Sequence, residues 1–260
     1  MSLAALDIGL VRADNPGPFT LQGTNTWLVG RDRCFVVDPG PLQEAHLERV
    51  LADAAARGGI AGIAITHDHP DHTEAVAALR ERAGGVPVAA ARFPADVALH
   101  DGDEFGPFTA IATPGHAPDH LALLSGRALF SGDAVLGEGS VFVWPEPGAL
   151  RGYLAALARL RELELDVICP GHGPPVMEPR AKIEEYLAHR LERERLLLEA
   201  LDGGARTVEE LLDHAWSDAP AVLRPAAAVT LAAHLDKLEE EGRLPGGVER
   251  PAVAGLQEPE

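Results

Sequence analysis

Six consecutive residues, His67 to His72, constrain this chain more than any other feature of its sequence. Their order is His-Asp-His-Pro-Asp-His, which supplies three imidazoles and two carboxylates directly after residues 60–66, a β-branched apolar segment that predicts a strand. Zinc prefers imidazole nitrogen and carboxylate oxygen, and a tight turn can point His67 and His69 one way and Asp71 and His72 the other. Because the chain has only 11 histidines, chance clustering in a solvated loop explains this run poorly. We therefore expect half of a cage for two adjacent metal ions.

Three later residues extend this ligand set, and each follows a predicted strand. They are His116 in Thr113-Pro-Gly-His, Asp133 in Ser131-Gly-Asp and His172 in Pro170-Gly-His-Gly. A neighbouring glycine lets the backbone turn sharply, so that the side chain can reach inward. Functional side chains collect in such loops on a rigid scaffold. One Gly-His pair would carry little weight, but three such positions together with the run at 67–72 predict a complete cage.

Strands and helices alternate through the first 180 residues, which predicts an α/β region with a covered sheet. The predicted strands are 26–29, 34–37, 60–66, 86–91, 108–113, 121–124, 128–131 and 167–169, and the predicted helices are 43–57, 73–83 and 150–162. Beyond Pro179, three helices (181–201, one starting at the capping box Thr207-Val-Glu-Glu210, and 226–241) and a short Gly-rich ribbon suggest a winged-helix-like unit. We expect a catalytic domain at 1–180, this appendage at 181–246 and a flexible tail at 247–260.

These motifs resemble those of a known family. The ordered set His67, His69, Asp71, His72, His116, Asp133 and His172 is similar to the metal ligands of the metallo-β-lactamase superfamily. Within it, the chain resembles the lactamase-beta-2-like family in four stretches, Gly23-Thr-Asn-Thr-Trp-Leu-Val-Gly30, Thr113-Pro-Gly-His-Ala-Pro-Asp-His120, Ser131-Gly-Asp-Ala-Val-Leu-Gly-Glu-Gly139 and Pro170-Gly-His-Gly-Pro174. The similarity covers roughly residues 15–180, and residues 189–242 resemble that family's small winged-helix appendage.

The resemblance implies an α/β (α+β) fold, an αββα sandwich with its site at the edge between two sheets. It implies that His67, His69 and His116 hold one metal ion, that Asp71, His72 and His172 hold a second, and that Asp133 bridges both. Two Zn²⁺ about 3.5–4 Å apart can share a water and lower its pKa toward ~7, which gives a bridging hydroxide able to attack an ester-type centre. Mn²⁺ or Fe²⁺ could fill such a site too. Asp71 could also orient the hydroxide or handle its proton, so we expect it to be catalytic.

The sequence departs from the true zinc β-lactamases at two points. Those with two zinc ions commonly place cysteine where this chain has Asp133, and they lack the pair Asp71-His72. Antibiotic hydrolysis is therefore not expected to be the main role.

Charge and composition limit the classes of partner that we expect. The chain has 40 acidic and 22 basic residues, a net charge of −18, which on average repels phosphate backbones. Its two cysteines give no disulfide framework, its first 11 residues lack a secretory pattern, and no apolar run approaches 18 residues. We expect a cytoplasmic protein with no membrane partner, whose appendage covers the rim of the site or supports a homodimer contact.

Two substrate classes stay open. A small ester or thioester needs no basic groove, whereas a single-stranded RNA endoribonuclease, which the resemblance suggests, needs arginines or lysines along one. The candidate arginines are Arg151, Arg159, Arg180, Arg190, Arg193 and Arg195, and salt-bridged helix faces are the simpler interpretation of them. DNA binding is not expected, because the helix at 226–241 offers only Lys237 against Asp236 and three glutamates.

Other polar residues have weaker sequence context. His120 and Asp119 could support the metal ligands, although His120 could equally be an ordinary core histidine. Trp144 could line the substrate cleft or simply pack, and Cys169 is expected to be a buried small residue. The remaining histidines are expected to be structural or solvated: His46, His100, His189, His214 and His234.

Overall fold

The computed structural model describes residues 2–252, and its first 170 residues form two facing sheets. One sheet has six strands, which lie side by side in chain order: β1 (Ile8–Arg12), β2 (Asn25–Val29), β3 (Cys34–Val37), β4 (Ile60–Ala64), β5 (Val88–Ala90) and β6 (Val97–Ala98). The strands from β1 to β3 pair antiparallel, and those from β3 to β6 pair parallel.

The second sheet has five strands in the order β11-β10-β9-β8-β7. They are β7 (Glu104–Phe105), β8 (Phe108–Ala112), β9 (Leu121–Ser125), β10 (Ala128–Gly132) and β11 (Val167–Pro170). All neighbours are antiparallel except β10 and β11, which run parallel. The segments that follow β4, β10 and β11, and the loop between β8 and β9, carry the predicted ligands.

The helices are α1 (Glu44–Ala56), α2 (Pro70–Thr73), α3 (Val76–Arg82), α4 (Ala149–Arg161), α5 (Pro179–Asp202), α6 (Val208–Ala215) and α7 (Arg224–Glu240), with 3-10 turns at Leu3–Leu6 and Ala221–Leu223. Helices α1 and α3 cover the outer face of the first sheet, and α4 with the first turns of α5 covers that of the second. None of the helices in residues 2–252 is long and apolar enough to cross a membrane.

Three apolar layers hold this architecture together. Between the sheets, Trp27 packs edge-on against Phe130, which in turn meets Phe108. The layer between the first sheet and its helices α1 and α3 includes Leu47 and Leu79. The layer between the second sheet and helices α4 and α5 includes Tyr153, Leu157, Ile183 and Tyr186. Because each sheet buries both faces, the αββα sandwich that was expected is confirmed.

The C-terminal unit has its own core. The second half of α5 packs with α6 and α7 around Leu197, Leu211, Trp216 and Leu235. The capping box predicted at Thr207 is present, since its hydroxyl accepts from Glu210 N and the Glu210 carboxylate accepts from Thr207 N. The predicted ribbon is not: residues 241–252 contain turns and no strand.

Boundaries differ from expectation in several places. The helix expected at 73–83 is observed as α3, which starts at Val76, and the short helix α2 before it was not predicted; nor were strands β1, β6 and β7. Helix α5 starts at Pro179 and its first turns pack on the second sheet, so it runs through the proposed boundary at 180, which remains a prediction. Of the predicted tail, residues 253–260 lie outside the described chain, while Glu249 N donates to Arg206 O at 2.8 Å.

Candidate metal centre

The 67–72 run turns from a strand loop into a helix, and this turn divides its side chains. His69 is the N-cap of α2 and Pro70 is its first residue, where a missing N–H costs nothing. His67 and His69 therefore precede the helix, whereas Asp71 and His72 lie in its first turn. The two directions expected from the sequence follow from this change of backbone geometry.

Three imidazole nitrogens converge on the first side of the centre. His67 Nε2 lies 2.9 Å from His69 Nδ1, and His116 Nε2 lies 3.1 Å from the same atom. Burial lowers the pKa of His67 well below its ordinary value and that of His116 to about 3, so both rings are neutral near pH 7. Neutral rings present the lone pairs that a metal ion requires.

A carboxylate and two imidazoles converge on the second side. His172 Nε2 lies 3.2 Å from Asp71 Oδ2 and 3.3 Å from His72 Nε2, and the Asp71–His72 distance is 3.5 Å. Burial opposes charge on His72, but the carboxylates of Asp71, Asp38 and Asp133 outweigh it and raise the His72 pKa to about 9. Burial likewise opposes ionisation of Asp71, but His72 and His172 hold its pKa below the usual range. This side thus concentrates negative charge that favours a cation.

Asp133 lies between the two groups. Its Oδ1 is 3.7 Å from His72 Nε2, and its Oδ2 is 3.7 Å from His116 Nε2 and 3.3 Å from His172 Nε2. The residue is only 7% exposed, and although burial opposes ionisation, His172, His72 and His116 hold its pKa well below the ordinary value. A single carboxylate can therefore face both ligand groups.

The donor set fits divalent cations. Three clusters, whose ligand atoms lie within 4.8 Å of one another, are His67–His69–His116, His67–His72–Asp133 and Asp71–His72–His172. Asp133 Oδ1 is buried without a hydrogen-bond partner in the described chain, as is His172 Nδ1. Uncompensated buried polar atoms are costly, and imidazole with carboxylate is a combination that Zn²⁺ and related ions bind. All seven predicted ligands are brought together here.

Asp38, which the sequence analysis did not single out, supports both ligand groups. Its Oδ2 lies 2.9 Å from His72 Nδ1, and it accepts from Thr66 N at 2.8 Å and Thr66 Oγ1 at 2.7 Å. The Thr66 hydroxyl also lies 2.9 Å from His67 Nδ1. One buried carboxylate thus fixes the ring orientation of a ligand on each side. Its place directly after an apolar strand was the signal that could have revealed it.

The segment Gly23 to Trp27 joins the two sheets at the centre. Thr24 Oγ1 donates to Asp71 Oδ2 at 2.9 Å. Asn25 Nδ2 donates to Pro170 O and Gly173 O at 3.0 and 2.8 Å, and Trp27 Nε1 donates to Pro170 O at 3.0 Å. Because residues 170–173 carry His172, strand β2 of the first sheet positions a ligand that belongs to the second.

The two candidates for supporting residues, His120 and Asp119, accept hydrogen bonds from the backbone of the loops that carry the ligands. His120 Nε2 accepts the backbone N–H of Asp133 at 3.0 Å, which leaves Nδ1 to carry the proton toward Thr113 Oγ1 at 2.7 Å. Asp119 Oδ2 accepts from Asp68 N at 3.0 Å and so braces the loop between His67 and His69. Both support the centre, through the backbone beside its ligands.

The polar residues with weaker sequence context lie away from the cage. Cys169 is buried in the core between the sheets, and burial raises its thiol pKa far above the ordinary value. His46 is a core residue whose Nε2 lies 2.9 Å from Thr26 Oγ1 and 3.1 Å from Pro39 O. Trp144 is half-buried, but the aromatic ring against the centre is that of Phe142, 5.0 Å from the His116 ring. No cluster of potential metal ligands within residues 2–252 includes His46, His100, His189, His214 or His234.

The six candidate arginines are engaged within the protein. Five of them form ion pairs: Arg151 with Glu240, Arg159 with Asp101, Arg180 with Glu184, Arg193 with Asp218, and Arg195 with Glu192 and Glu199. Arg190 is buried. Lys237 of α7 is paired with Glu194 and Glu241. These side chains supply no basic groove of the kind that an RNA strand requires.

Comparison with known proteins identifies the family. Residues 19–94 and 92–172 match the model of the metallo-beta-lactamase superfamily, and residues 207–244 match that of the beta-lactamase associated winged helix domain. The Beta-lactamase-like protein 2 homolog of Caenorhabditis elegans is 34% identical over 247 residues, which cover 88% of this chain and 82% of that protein. The Atrochrysone carboxyl ACP thioesterase of Aspergillus chevalieri is 32% identical over 94% of this chain and 86% of its own.

A solved structure supports the same conclusion. The metallo-beta-lactamase family protein TTHA1429 from Thermus thermophilus superimposes with a TM-score of 0.73 at 26% identity, over 91% of this chain and 94% of that one. The matched catalytic domain, the matched winged helix domain and the His/Asp cluster all point to the same family. The chain belongs to the metallo-β-lactamase superfamily and is a hydrolase of that fold with a winged helix domain at its C-terminal end.

Proposed function

We propose that this protein is a dinuclear metal hydrolase that cleaves small esters or thioesters. The observation that carries the proposal is the bipartite cage, in which His67, His69 and His116 face one side, Asp71, His72 and His172 face the other, and Asp133 faces both. A cage of this kind has ligands for two ions and one shared carboxylate, which is the donor set of two-metal hydrolytic sites.

Zinc is the metal we propose first, with Mn²⁺ or Fe²⁺ as alternatives, since imidazole–carboxylate sites accept all three. When bound, such ions would polarise a substrate carbonyl and acidify water. The buried, neutral rings of His67 and His116 are ready for coordination, whereas protons on His72 and His172 would be displaced on metal binding.

On the second side of the centre, the chain's own residues orient the reacting groups and hold protons. The Asp71 side chain is 21% exposed, more than that of Asp133 at 9%, so substrate and solvent can reach it. Thr24 donates to Asp71 Oδ2 and thereby fixes the direction of its carboxylate. We propose that Asp71 is catalytic through this oxygen, by orienting a water or accepting its proton. His120 and Asp38 keep the neighbouring ligands in place from behind.

Two observations favour ester and thioester substrates over RNA. Relatives with 31–35% identity include proteins named thioesterases, one of which matches 94% of this chain. The net charge of −18 and the engaged arginines leave little to hold a polyanion. A β-lactamase role is not proposed, since Asp133 stands where cysteine is common in those enzymes.

Elemental analysis of the isolated protein followed by activity assays tests the proposal. We expect close to two metal ions per chain, and metal-dependent hydrolysis of thioesters or esters that exceeds cleavage of phosphodiesters and single-stranded RNA. Asp133→Ala should reduce occupancy on both sides, and Asp71→Asn should reduce turnover ~100-fold or more. Asp96→Asn, which alters a remote carboxylate bonded to Val88 N, is the matched control. Two intact metal ions in Asp133→Ala would refute the bridging role, and salt-sensitive RNA cleavage alone would refute the substrate class.

A further inference from the structure

Residues 137–148, which we call the rim segment, connect β10 to α4 and run beside the metal centre. Gly137 N donates to His172 O at 2.9 Å, and Trp144 N donates to Gly115 O, next to His116, at 2.9 Å. The segment is thus hydrogen-bonded to the loops of two cage histidines, one on each side. Any shift of the rim segment changes the wall of the site without replacing a ligand.

The rim segment places an aromatic surface against the cage. The Phe142 ring lies 5.0 Å from the His116 ring and 5.8 Å from the ring of Phe19, both in edge-on geometry. Phe19 and Phe142 are each half-buried, so part of each ring remains open to a ligand. An acyl group that extends from the cage toward this pair can bury apolar surface against it.

The rim segment is anchored from the winged-helix side of the molecule. Arg190 of α5 donates from Nη2 to Ser140 Oγ at 3.0 Å and to the Val141 carbonyl. Thr230 of α7 accepts from Val143 N at 3.3 Å. These contacts flank Phe142 on both sides along the chain.

Arg190 is an unusual anchor because its charge is unpaired. It is 2% exposed, forms no ion pair with a carboxylate anywhere in residues 2–252, and lies 5.5 Å over the Tyr153 ring. Its Nε is buried without a hydrogen-bond partner in the same part of the chain. Burying a guanidinium without a counter-ion is expensive, and the hydrogen bonds that Arg190 makes to the rim segment offset part of that cost.

We propose that Phe142 determines acyl-group specificity and that Arg190 is the residue by which the C-terminal helices position it. The preferred substrates are then esters or thioesters with an apolar acyl group, rather than a short or charged one. This inference rests on the proposed function for its substrate class, but the anchoring of the rim segment by Arg190 is independent of it.

The experiment compares acyl chain lengths and backbone exchange in the same set of proteins. Wild type, Phe142→Ala, Arg190→Met, Arg190→Lys and Thr230→Val are assayed on N-acetylcysteamine thioesters from acetyl to decanoyl. Arg195→Met, in the exposed part of the same helix, is the control. Wild type should prefer long chains, and Phe142→Ala should reduce kcat/KM for decanoyl ~10-fold or more relative to kcat/KM for acetyl, since each buried methylene is worth about fourfold. Arg190→Met and Thr230→Val should shift in the same direction, with part of the loss restored in Arg190→Lys.

Hydrogen exchange and metal content distinguish a loosened rim segment from a general loss of the fold or of the metal centre. Amides of residues 137–148 should exchange faster in Arg190→Met and Thr230→Val, while metal content stays at the wild-type level. If Arg190→Met fails to fold, Thr230→Val and Arg190→Lys decide the matter through the same two measurements. Unchanged exchange at 137–148, or equal loss on all chain lengths, would overturn the proposal.

Failure of the proposed function would be visible separately. If wild type hydrolyses no thioester, calorimetric titration with acetate, hexanoate and decanoate still measures whether the site prefers apolar acyl groups and whether Phe142→Ala removes that preference. Absence of any chain-length preference in both the kinetic and the binding series would refute the acyl site, whatever reaction the metal centre performs.

Discussion

At the scale of single residues, Asp38 links the two sides of the metal centre through one carboxylate. Asp38→Asn retains size but removes the charge that faces His72 Nδ1 and Thr66. We expect metal affinity to fall about 10–100-fold, as for other supporting carboxylates, with the larger loss on the side of His72. Competitive titration with a chromophoric chelator measures both affinities. Unchanged affinities would show that Asp38 serves only the turn it occupies.

Gly171 is a second residue on which the cage depends, because there is no room for a side chain at this position. A Cβ at this position would lie 2.2 Å from Asp133 Oδ1 and 2.7 Å from His72 Cε1. Gly171→Ala should therefore displace Asp133 and lower metal occupancy on both sides, with far less effect on secondary structure. Elemental analysis with circular dichroism tests this. Gly246→Ala is the matched control, since nothing lies within 4 Å of its Cβ.

The predictability of individual residues depended on their distance along the chain from their partners. The candidate ligands from His67 to His72 were recognisable because they are close together in the sequence and follow an apolar segment. Asp38 was missed because its partners Thr66 and His72 are 28 and 34 positions away, so that its place after an apolar strand was the one local signal of its role. Phe142 was missed for the same reason: only the fold brings its ring to His116.

At the scale of elements, strand β2 ties the loop of His172 to the first sheet. Asn25→Ala removes both side-chain donors to Pro170 O and Gly173 O. Pro170 O keeps its bond from Trp27 Nε1, but Gly173 O loses a buried donor, so we expect a loss of about 1–3 kcal/mol in the free energy of unfolding. Urea denaturation of the metal-free protein measures it.

Two observations would decide that prediction. Gln22→Ala, which removes an exposed hydrogen bond to Glu138, should change stability by less than about 0.5 kcal/mol. Metal affinity on the side of His172 should also weaken in Asn25→Ala, because the loop that carries this ligand is released. Equal stabilities of the two variants would mean that β2 does not restrain the 170–173 loop.

Helices and strands were predictable where the apolar periodicity and the residues that end an element indicated the same boundaries. The strands at 26–29 and 34–37, helices α1 and α4 and the capping box at Thr207 were anticipated from apolar patterns and capping residues. Strands β6 and β7 have two residues each, too few for any alternation to be visible. The helix expected at 73–83 starts three residues later than predicted, at Val76, because Pro70 starts a separate short helix that ends at Thr73.

At the scale of the whole molecule, the charge distribution distinguishes the possible substrates. The net charge of −18 is spread over a surface on which five of the six candidate arginines are already paired with acidic groups, and the sixth, Arg190, is buried. A field of this sign repels anions over roughly a Debye length, about 10 Å at 0.1 M salt, and leaves neutral molecules unaffected. The KM for an acyl substrate should therefore depend on the charge of its carrier even when the acyl group itself is the same.

The last prediction follows from that field. For one acyl group carried by neutral N-acetylcysteamine, we expect KM to be nearly constant between about 50 and 500 mM salt. For the same acyl group carried by coenzyme A, whose phosphates are negative, KM should fall as salt screens the repulsion. An enzyme built to hold RNA would behave in the opposite way, with binding that weakens steeply as salt rises. Steady-state kinetics at constant metal occupancy measure all three cases, with a neutral-salt series to control for specific ion effects. A KM for the coenzyme A thioester that rises with salt would reveal a basic binding surface and contradict the charge argument.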